Sequence, residues 1–185
     1  IDIIVKPNVK NKSVHIPVII TVGGIEDLVY NDFYIGHDAD VVIVAGCGIH
    51  NATCKDSLHN GIHTFHIEKN AKVKYIERHA GEGNGSGGKI LNPVTKIIMK
   101  EGSFMEMETL QLEGVTSTVR KTNAKLYDNA TLHIQENILT TDSQTAKTLF
   151  KVDLLGKNSS VEGVSHSVAK DNSYQEFKSD LIGKN

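Results

Sequence analysis

The chain has 185 residues, 39% of them hydrophobic and 23% charged, with a formal net charge of −2. That length supports one domain with a substantial core, and 20 basic residues spread among 22 acidic ones argue against a nucleic-acid binder. No apolar run approaches the ~20 residues that span a bilayer, and no secretory signal opens the sequence. Two cysteines, Cys47 and Cys54, are too few for a disulfide-stapled secreted scaffold. A reducing compartment, the cytoplasm, is the expectation.

Taken in chain order, Ile16 to Val22 has the length of a buried strand. A small unit then begins to recur: a polar or glycine turn, a small residue, and alternating apolar positions. It reads Gly36-His37-Asp38-Ala39-Asp40-Val41, then Lys69-Asn70-Ala71-Lys72-Val73, then Glu101-Gly102-Ser103-Phe104-Met105. Asp128-Asn129-Ala130-Thr131-Leu132 and Lys157-Asn158-Ser159-Ser160-Val161 complete the series. The small residues fall at 39, 71, 103, 130 and 159, in steps of 32, 32, 27 and 29. Each turn follows a second extended segment, such as His63-Thr64-Phe65-His66-Ile67 or Phe150-Lys151-Val152-Asp153-Leu154, with the period-2 alternation of a half-buried strand. Asn and Gly tolerate the positive φ of a tight corner. A strand–corner–strand unit of about 30 residues cannot bury its own apolar face, so copies must stack. The fold class is therefore all-β and solenoidal; Asp142 to Phe150 is the one stretch that could form a short helix, though its Thr and Ser favour strand or loop.

The densest chemical signal lies between Ala45 and His66 and reads Cys-x2-His-x3-Cys-x4-His-x3-His-x2-His. Thiolate and imidazole ligate zinc, copper and iron–sulfur centres. The candidate metal ligands are Cys47, His50, Cys54, His59 and His63. No paired Cys-x2-Cys knuckle is present, and strand alternation sends His63 and His66 to opposite faces, so turn and surface histidines on a solenoid wall are the competing reading. Gly83 to Lys89 matches the glycine and lysine spacing of a phosphate-binding loop. Ile90, however, stands where Ser or Thr should meet magnesium, and Asn92-Pro93 follows where a helix is needed. A flexible loop between coils is expected there. Glu106 and Glu108 alternate with Met105 and Met107, the pattern of a solvated sheet face; with Glu113 and Glu136 they do not make a paired-carboxylate catalytic site.

Several words of the sequence resemble the SufB/SufD family. They are Asp32-Phe33-Tyr34-Ile35-Gly36, Val44-Ala45-Gly46-Cys47-Gly48-Ile49-His50-Asn51, Gly61-Ile62-His63-Thr64-Phe65, Glu77-Arg78-His79 with Gly81-Glu82-Gly83, and Ile90-Leu91-Asn92-Pro93. Met107-Glu108-Thr109, Gly114-Val115-Thr116-Ser117-Thr118 and Ser167-Val168-Ala169-Lys170-Asp171-Asn172-Ser173 continue the likeness, which is colinear from about Asp32 onward. The resemblance implies a right-handed parallel β-helix core spanning residues 1–185. It implies a homodimer, or a heterodimer with a SufB/SufD paralogue, and a SufC-like ABC ATPase as partner. It also implies iron–sulfur clusters built on the complex and passed to apo-proteins, a scaffold without catalysis of its own, and no nucleic acid or membrane partner. The cysteine-containing Gly-His-x-Glu-Cys-like word that follows the Ser-Val-Ala-Lys-Asp region in the family is not in this sequence. The expectation is a C-terminally incomplete core holding no stable cluster by itself. Two rivals stand beside it. One is a metal-binding solenoid using the Cys/His stretch. The other is a carbohydrate-active β-helix enzyme, which the lack of Trp and of a secretory signal disfavours.

Overall fold

The computed structural model describes residues 1–184, residue 113 by its backbone alone. Fourteen strands follow one another: β1 (Asp2–Val5), β2 (Lys10–Ile20), β3 (Glu26–Ile35), β4 (Asp40–His50), β5 (Ser57–Ile67), β6 (Lys72–Glu82), β7 (Lys89–Leu91), β8 (Val94–Met99), β9 (Phe104–Glu113), β10 (Ser117–Leu126), β11 (Thr131–Thr140), β12 (Thr145–Leu154), β13 (Ser160–Ala169) and β14 (Tyr174–Gly183). They form two sheets. The first runs β1-β3-β5-β7-β10-β12-β14, with β8 continuing the position of β7 between β5 and β10; the second runs β13-β11-β9-β6-β4-β2. Neighbouring strands in both sheets pair in parallel. One strand from each sheet and two corners make a coil, and the six strands of the second sheet count about six turns of a parallel β-solenoid.

The repeat is written into one corner. Positions 40, 72, 104, 131 and 160 stand in register from coil to coil. The residue before each is small, and Ala39, Ala71, Ser103 and Ala130 are all buried. The residue before that adopts positive φ: Asp38 at 57°, Asn70 at 56°, Gly102 at 68°, Asn129 at 57° and Asn158 at 55°. Asp, Asn and Gly reach this left-handed region at least cost, which explains the restricted choice. Asn8, at 63°, adds an earlier corner whose following residue is Val9. The corners bond to one another as well, Asp38 N–H to Lys69 O at 2.9 Å and Asn70 N–H to Glu101 O at 3.0 Å.

Alternation does the rest. In β4 the side chains of Val41, Ile43, Ala45, Cys47 and Ile49 are buried, and in β5 those of His59, His63, Phe65 and Ile67. Phe33 and Phe65 are register partners whose rings stack at 4.4 Å and 8°. Residues 142–150 form no helix. Asp142 turns the corner at φ 54°, and β12 then buries Ala146, Thr148, Phe150 and Val152 in strict alternation. Tertiary burial on a two-residue period outweighs any weak helical tendency there. Glu106 and Glu108 point outward, where Lys74 meets them at 2.9 and 3.8 Å, while Met105 and Met107 fill the core.

Candidate functional site

The interior is divided lengthwise. Beside the repeating corner lies a continuous apolar core including Phe33, Phe65, Val73, Met105, Leu126 and Val152. Beside the opposite corner lies a smaller apolar cluster of Ile20, Cys47, Ile49, Leu91 and Val115. Between them the inward positions become polar. The second sheet contributes Glu77 and His79 from β6, Thr109 and Gln111 from β9, and Glu136 from β11; the first contributes His59, His63, Thr95, Thr118, Arg120 and Thr148.

Arg120 is the centre of this strip and is 2% exposed. Its column on the first sheet passes Pro93 and Gly61, which project little into the interior, so the long guanidinium reaches across to the facing sheet. There Nη1 donates to Glu136 Oε2 at 2.9 Å, Nη2 meets His79 Nδ1 at 2.9 Å, and Nε stands 3.7 Å from Glu77 Oε2. Thr148 Oγ1 and Ser165 Oγ donate to the Glu136 carboxylate at 2.7 and 3.2 Å. Tyr75 donates its hydroxyl to Glu77 Oε1 at 3.0 Å and lies 3.1 Å from His63 Nδ1. His79 Nε2 is 3.6 Å from Glu77 Oε1. Further along, His59 Nδ1 bonds Asp27 Oδ2 at 2.7 Å. A chain of polar contacts thus runs from His63 through Tyr75, Glu77, His79 and Arg120 to Glu136.

Burial would raise the Glu77 pKa, but the adjacent His79 and Arg120 overcome it and hold this carboxyl well below the ordinary range. Burial lowers the pKa of His63, only partly opposed by Glu77, and keeps the ring neutral. Burial, reinforced by the Glu77 charge, pushes the Cys47 thiol up to about 12. At neutral pH Cys47 is therefore a protonated, unreactive thiol. Several buried polar atoms of the strip have no hydrogen-bond partner: Glu77 Oε2, Arg120 Nε, Thr95 Oγ1 and both amide atoms of Gln111.

The five proposed ligands are distributed as follows. Cys47, His59 and His63 point inward, Cys47 from the second sheet and the two histidines from the first. His50 faces solvent near Glu82, 3.9 Å away, and Cys54 is exposed in the corner after β4. His66 stacks on Tyr34 on the outer face at 4.8 Å. Among the described residues no three His, Cys, Asp or Glu side chains are arranged to hold a metal ion.

The corner after β4 explains the other glycine-rich words. Asn51 is buried; its Nδ2 donates to Lys55 O at 2.7 Å, and its Oδ1 accepts from Thr53 N–H and Oγ1 at 3.0 and 2.9 Å. The segment from Gly83 to Gly88 lies directly on this corner, with Gly85 N–H to Asn51 O at 3.0 Å and Gly87 N–H to Thr53 O at 2.9 Å. A Cβ at Gly85 or Gly87 would stand 2.2 Å from a backbone oxygen below. The spacing that resembles a phosphate-binding loop is thus a stacking requirement, and the segment is hydrogen-bonded to its neighbour instead of being a free loop.

Sequence reasoning missed the charged strip. The signal was available: in Val73-Tyr75-Glu77-His79 and in Leu132-Ile134-Glu136-Ile138 the ionisable residues fall on the inward phase set by their apolar neighbours. Two resemblance words also map here, Glu77-Arg78-His79 and the segment ending in Thr118, whose hydroxyl bonds Leu91 O.

Comparison with known families gives a match to the model described as "SUF system FeS cluster assembly, SufBD core domain" over residues 49–184. No curated protein and no solved structure gave a match. The family match spans well over half of the chain and covers β5 to β14, the coils that carry most of the polar strip. The chain belongs to the SufBD core family of the SUF iron–sulfur cluster assembly system.

Proposed function

We propose that this chain is a scaffold component of an iron–sulfur cluster assembly complex. In this reading it works with a SufC-like ABC ATPase, pairs with a second copy or a SufB/SufD paralogue, and passes finished clusters to apo-proteins in the cytoplasm. ATP turnover belongs to the partner. The observation that supports it is the family match over residues 49–184. The solenoid suits the role because it is a rigid wall whose ionisable interior is spanned by hydrogen bonds. Iron and sulfide are cargo here. Two cysteines cannot supply the four thiolates of a common cluster, and Cys47 is protonated, so further ligands have to come from other parts of the assembly.

Co-expression with a SufC-like ATPase followed by anaerobic addition of ferrous iron and sulfide tests the reading. A co-purifying complex that gains cluster absorbance and passes it to an apo-ferredoxin is the expected result. Failure of the ATPase to co-purify under any nucleotide condition, with the solenoid folded, would overturn it. A cluster held by the isolated chain would instead favour the reading in which ligands come from the Cys/His stretch Cys47, His50, Cys54, His59 and His63.

A further inference from the structure

The outer face of the first sheet carries a charge pattern that the scaffold reading does not use. Asn123 on β10 is the register partner of Lys96 on β8 and of Lys151 on β12. Lys121 and Lys125 stand two residues to either side of it on its own strand, and all five side chains are exposed. Strand geometry sets the scale: about 13 Å separates the Cα atoms of Lys121 and Lys125, and about 10 Å those of Lys96 and Lys151. Four lysines thus form a diamond around one short amide.

Among the described residues none of the four forms an ion pair. The neighbouring acids are mostly engaged elsewhere: Asp153 meets Lys184 at 3.3 Å, and Glu176 lies between Lys147, at 3.8 Å, and Lys178. Asp180, the register partner of Lys151, lines the larger groove, and Asp153, the register partner of Lys125, lines the smaller one, so each groove carries one carboxylate among its lysines. The four lysines are diagonal neighbours and not directly opposite one another, and they gather in a chain whose formal charge is −2. Because Asn123 is shorter than the lysines around it, the surface there is hollowed. Two adjoining grooves of about 680 and 370 Å³ share Asn123 and Lys151. Their flanks are apolar, with Leu149 next to Lys121, Ile98 next to Lys125, and the exposed Phe177 on the larger groove.

We propose that this face docks an acidic, partly apolar segment of a different protein, its carboxylates on the four lysines and its apolar side chains on Leu149 and Ile98. The pattern does not suit a nucleic acid, because the diamond contains no arginine and Phe177 is the one exposed aromatic ring lining the grooves, where single-strand binders present a series of aromatic platforms. A second copy fits poorly too. On the same sheet it presents Asp2 and Asp32 as register partners, with Glu26 six residues away along β3, too dispersed to match the diamond. The inference stands apart from the scaffold reading and can fail or hold without it.

The test uses fluorescence anisotropy with three labelled probes: a 16-residue peptide alternating Glu-Glu with Leu-Leu, a peptide of the same length with Gln for Glu, and a 20-nucleotide single-stranded RNA. The expected result is salt-sensitive binding of the acidic peptide, weakened about tenfold by Lys121→Glu with Lys151→Glu. The same charge change placed outside the patch, Lys12→Glu with Lys170→Glu, leaves binding intact. If the reversal perturbs folding, Lys→Gln at all four positions serves in its place. Equal loss in the patch and control variants overturns the proposal. So does tighter, patch-dependent binding of RNA than of acidic peptide, or patch-dependent self-association seen by sedimentation without peptide binding.

Discussion

The two halves of the solenoid interior are built by different rules. Beside the repeating corner the coils from Asp38 onward set an αL residue, a small residue and then alternating apolar side chains, so each satisfies its neighbours largely by shape. Between that core and the small apolar cluster at the opposite corner, the same backbone alternation buries Glu77, His79, Arg120 and Glu136, which satisfy one another only as a group. The apolar half is additive, coil upon coil. The polar half is a network whose members depend on partners from both sheets. Loss of one side chain should therefore have different consequences in the two halves.

The largest expected effect is at the centre of the network. Arg120→Met strands two buried carboxylates and should destabilise by about 3–5 kcal/mol. Adding Glu77→Gln and Glu136→Gln removes the uncompensated charge and should recover most of that loss. Chemical denaturation of the single and triple variants reads both. A triple variant no more stable than the single one would show that the strip is held by packing and not by charge. In the apolar half, Phe65→Ala should cost about 3–5 kcal/mol through cavity formation, and no second substitution elsewhere in the core should rescue it.

Acid sharpens the contrast. Both His63 and Glu77 have folded-state pKa values below their ordinary values of 6.5 and 4.5. In each case the unfolded chain binds the proton more readily, so the stabilisation is present above the ordinary value and is lost as pH falls below it. Thermal stability should decline as pH is lowered below about 6.5, and more steeply below about 4.5. His63→Gln should remove the upper part of the decline and leave the lower part in place. Phe65→Ala should shift the whole profile without changing its shape. An unchanged upper limb in His63→Gln would mean that another group titrates there.

How much of this was legible follows from the same division. Asp38, Asn70, Gly102 and Asn129 announce their corners because few residue types tolerate positive φ, and the small residue after each has to fit between stacked coils. Those are local constraints, and they give the solenoid and its register. The charged strip was not read because Glu77 and Arg120 are 43 positions apart in sequence, and their pairing depends on two sheets facing each other at the right phase. Cys47, His59 and His63 stood out as chemically conspicuous residues. Inward phase could be read for each strand separately, but which inward residues meet across the interior could not. The glycines from Gly81 to Gly88 misled for a related reason: close backbone stacking and phosphate binding both select residues without a side chain.

A smaller test bears on the repeating corner. Asn70 holds φ 56° and donates from its side chain to Asp38 at 3.2 Å. Asn70→Ala should cost about 1–2 kcal/mol, mostly the left-handed backbone penalty, whereas Asn70→Gly should be close to neutral. Equal losses in the two variants would place the contribution in the amide bond to Asp38 and not in the backbone.

The smallest effect on stability, and the most direct readout of the interior, comes from the two thiols. Raising the Cys47 pKa from 9.0 to about 12 lowers its thiolate fraction about a thousandfold, and burial excludes reagent as well. Cys54 is exposed in the corner after β4. Native-state alkylation at neutral pH should label Cys54 and leave Cys47 untouched until the chain unfolds. Arg120→Met removes a nearby cation that favours the thiolate, so it cannot activate Cys47 electrostatically. If that variant labels Cys47 readily, the network must also be holding the coils closed over the thiol, and the polar half would then maintain the packing of the small apolar cluster beside it.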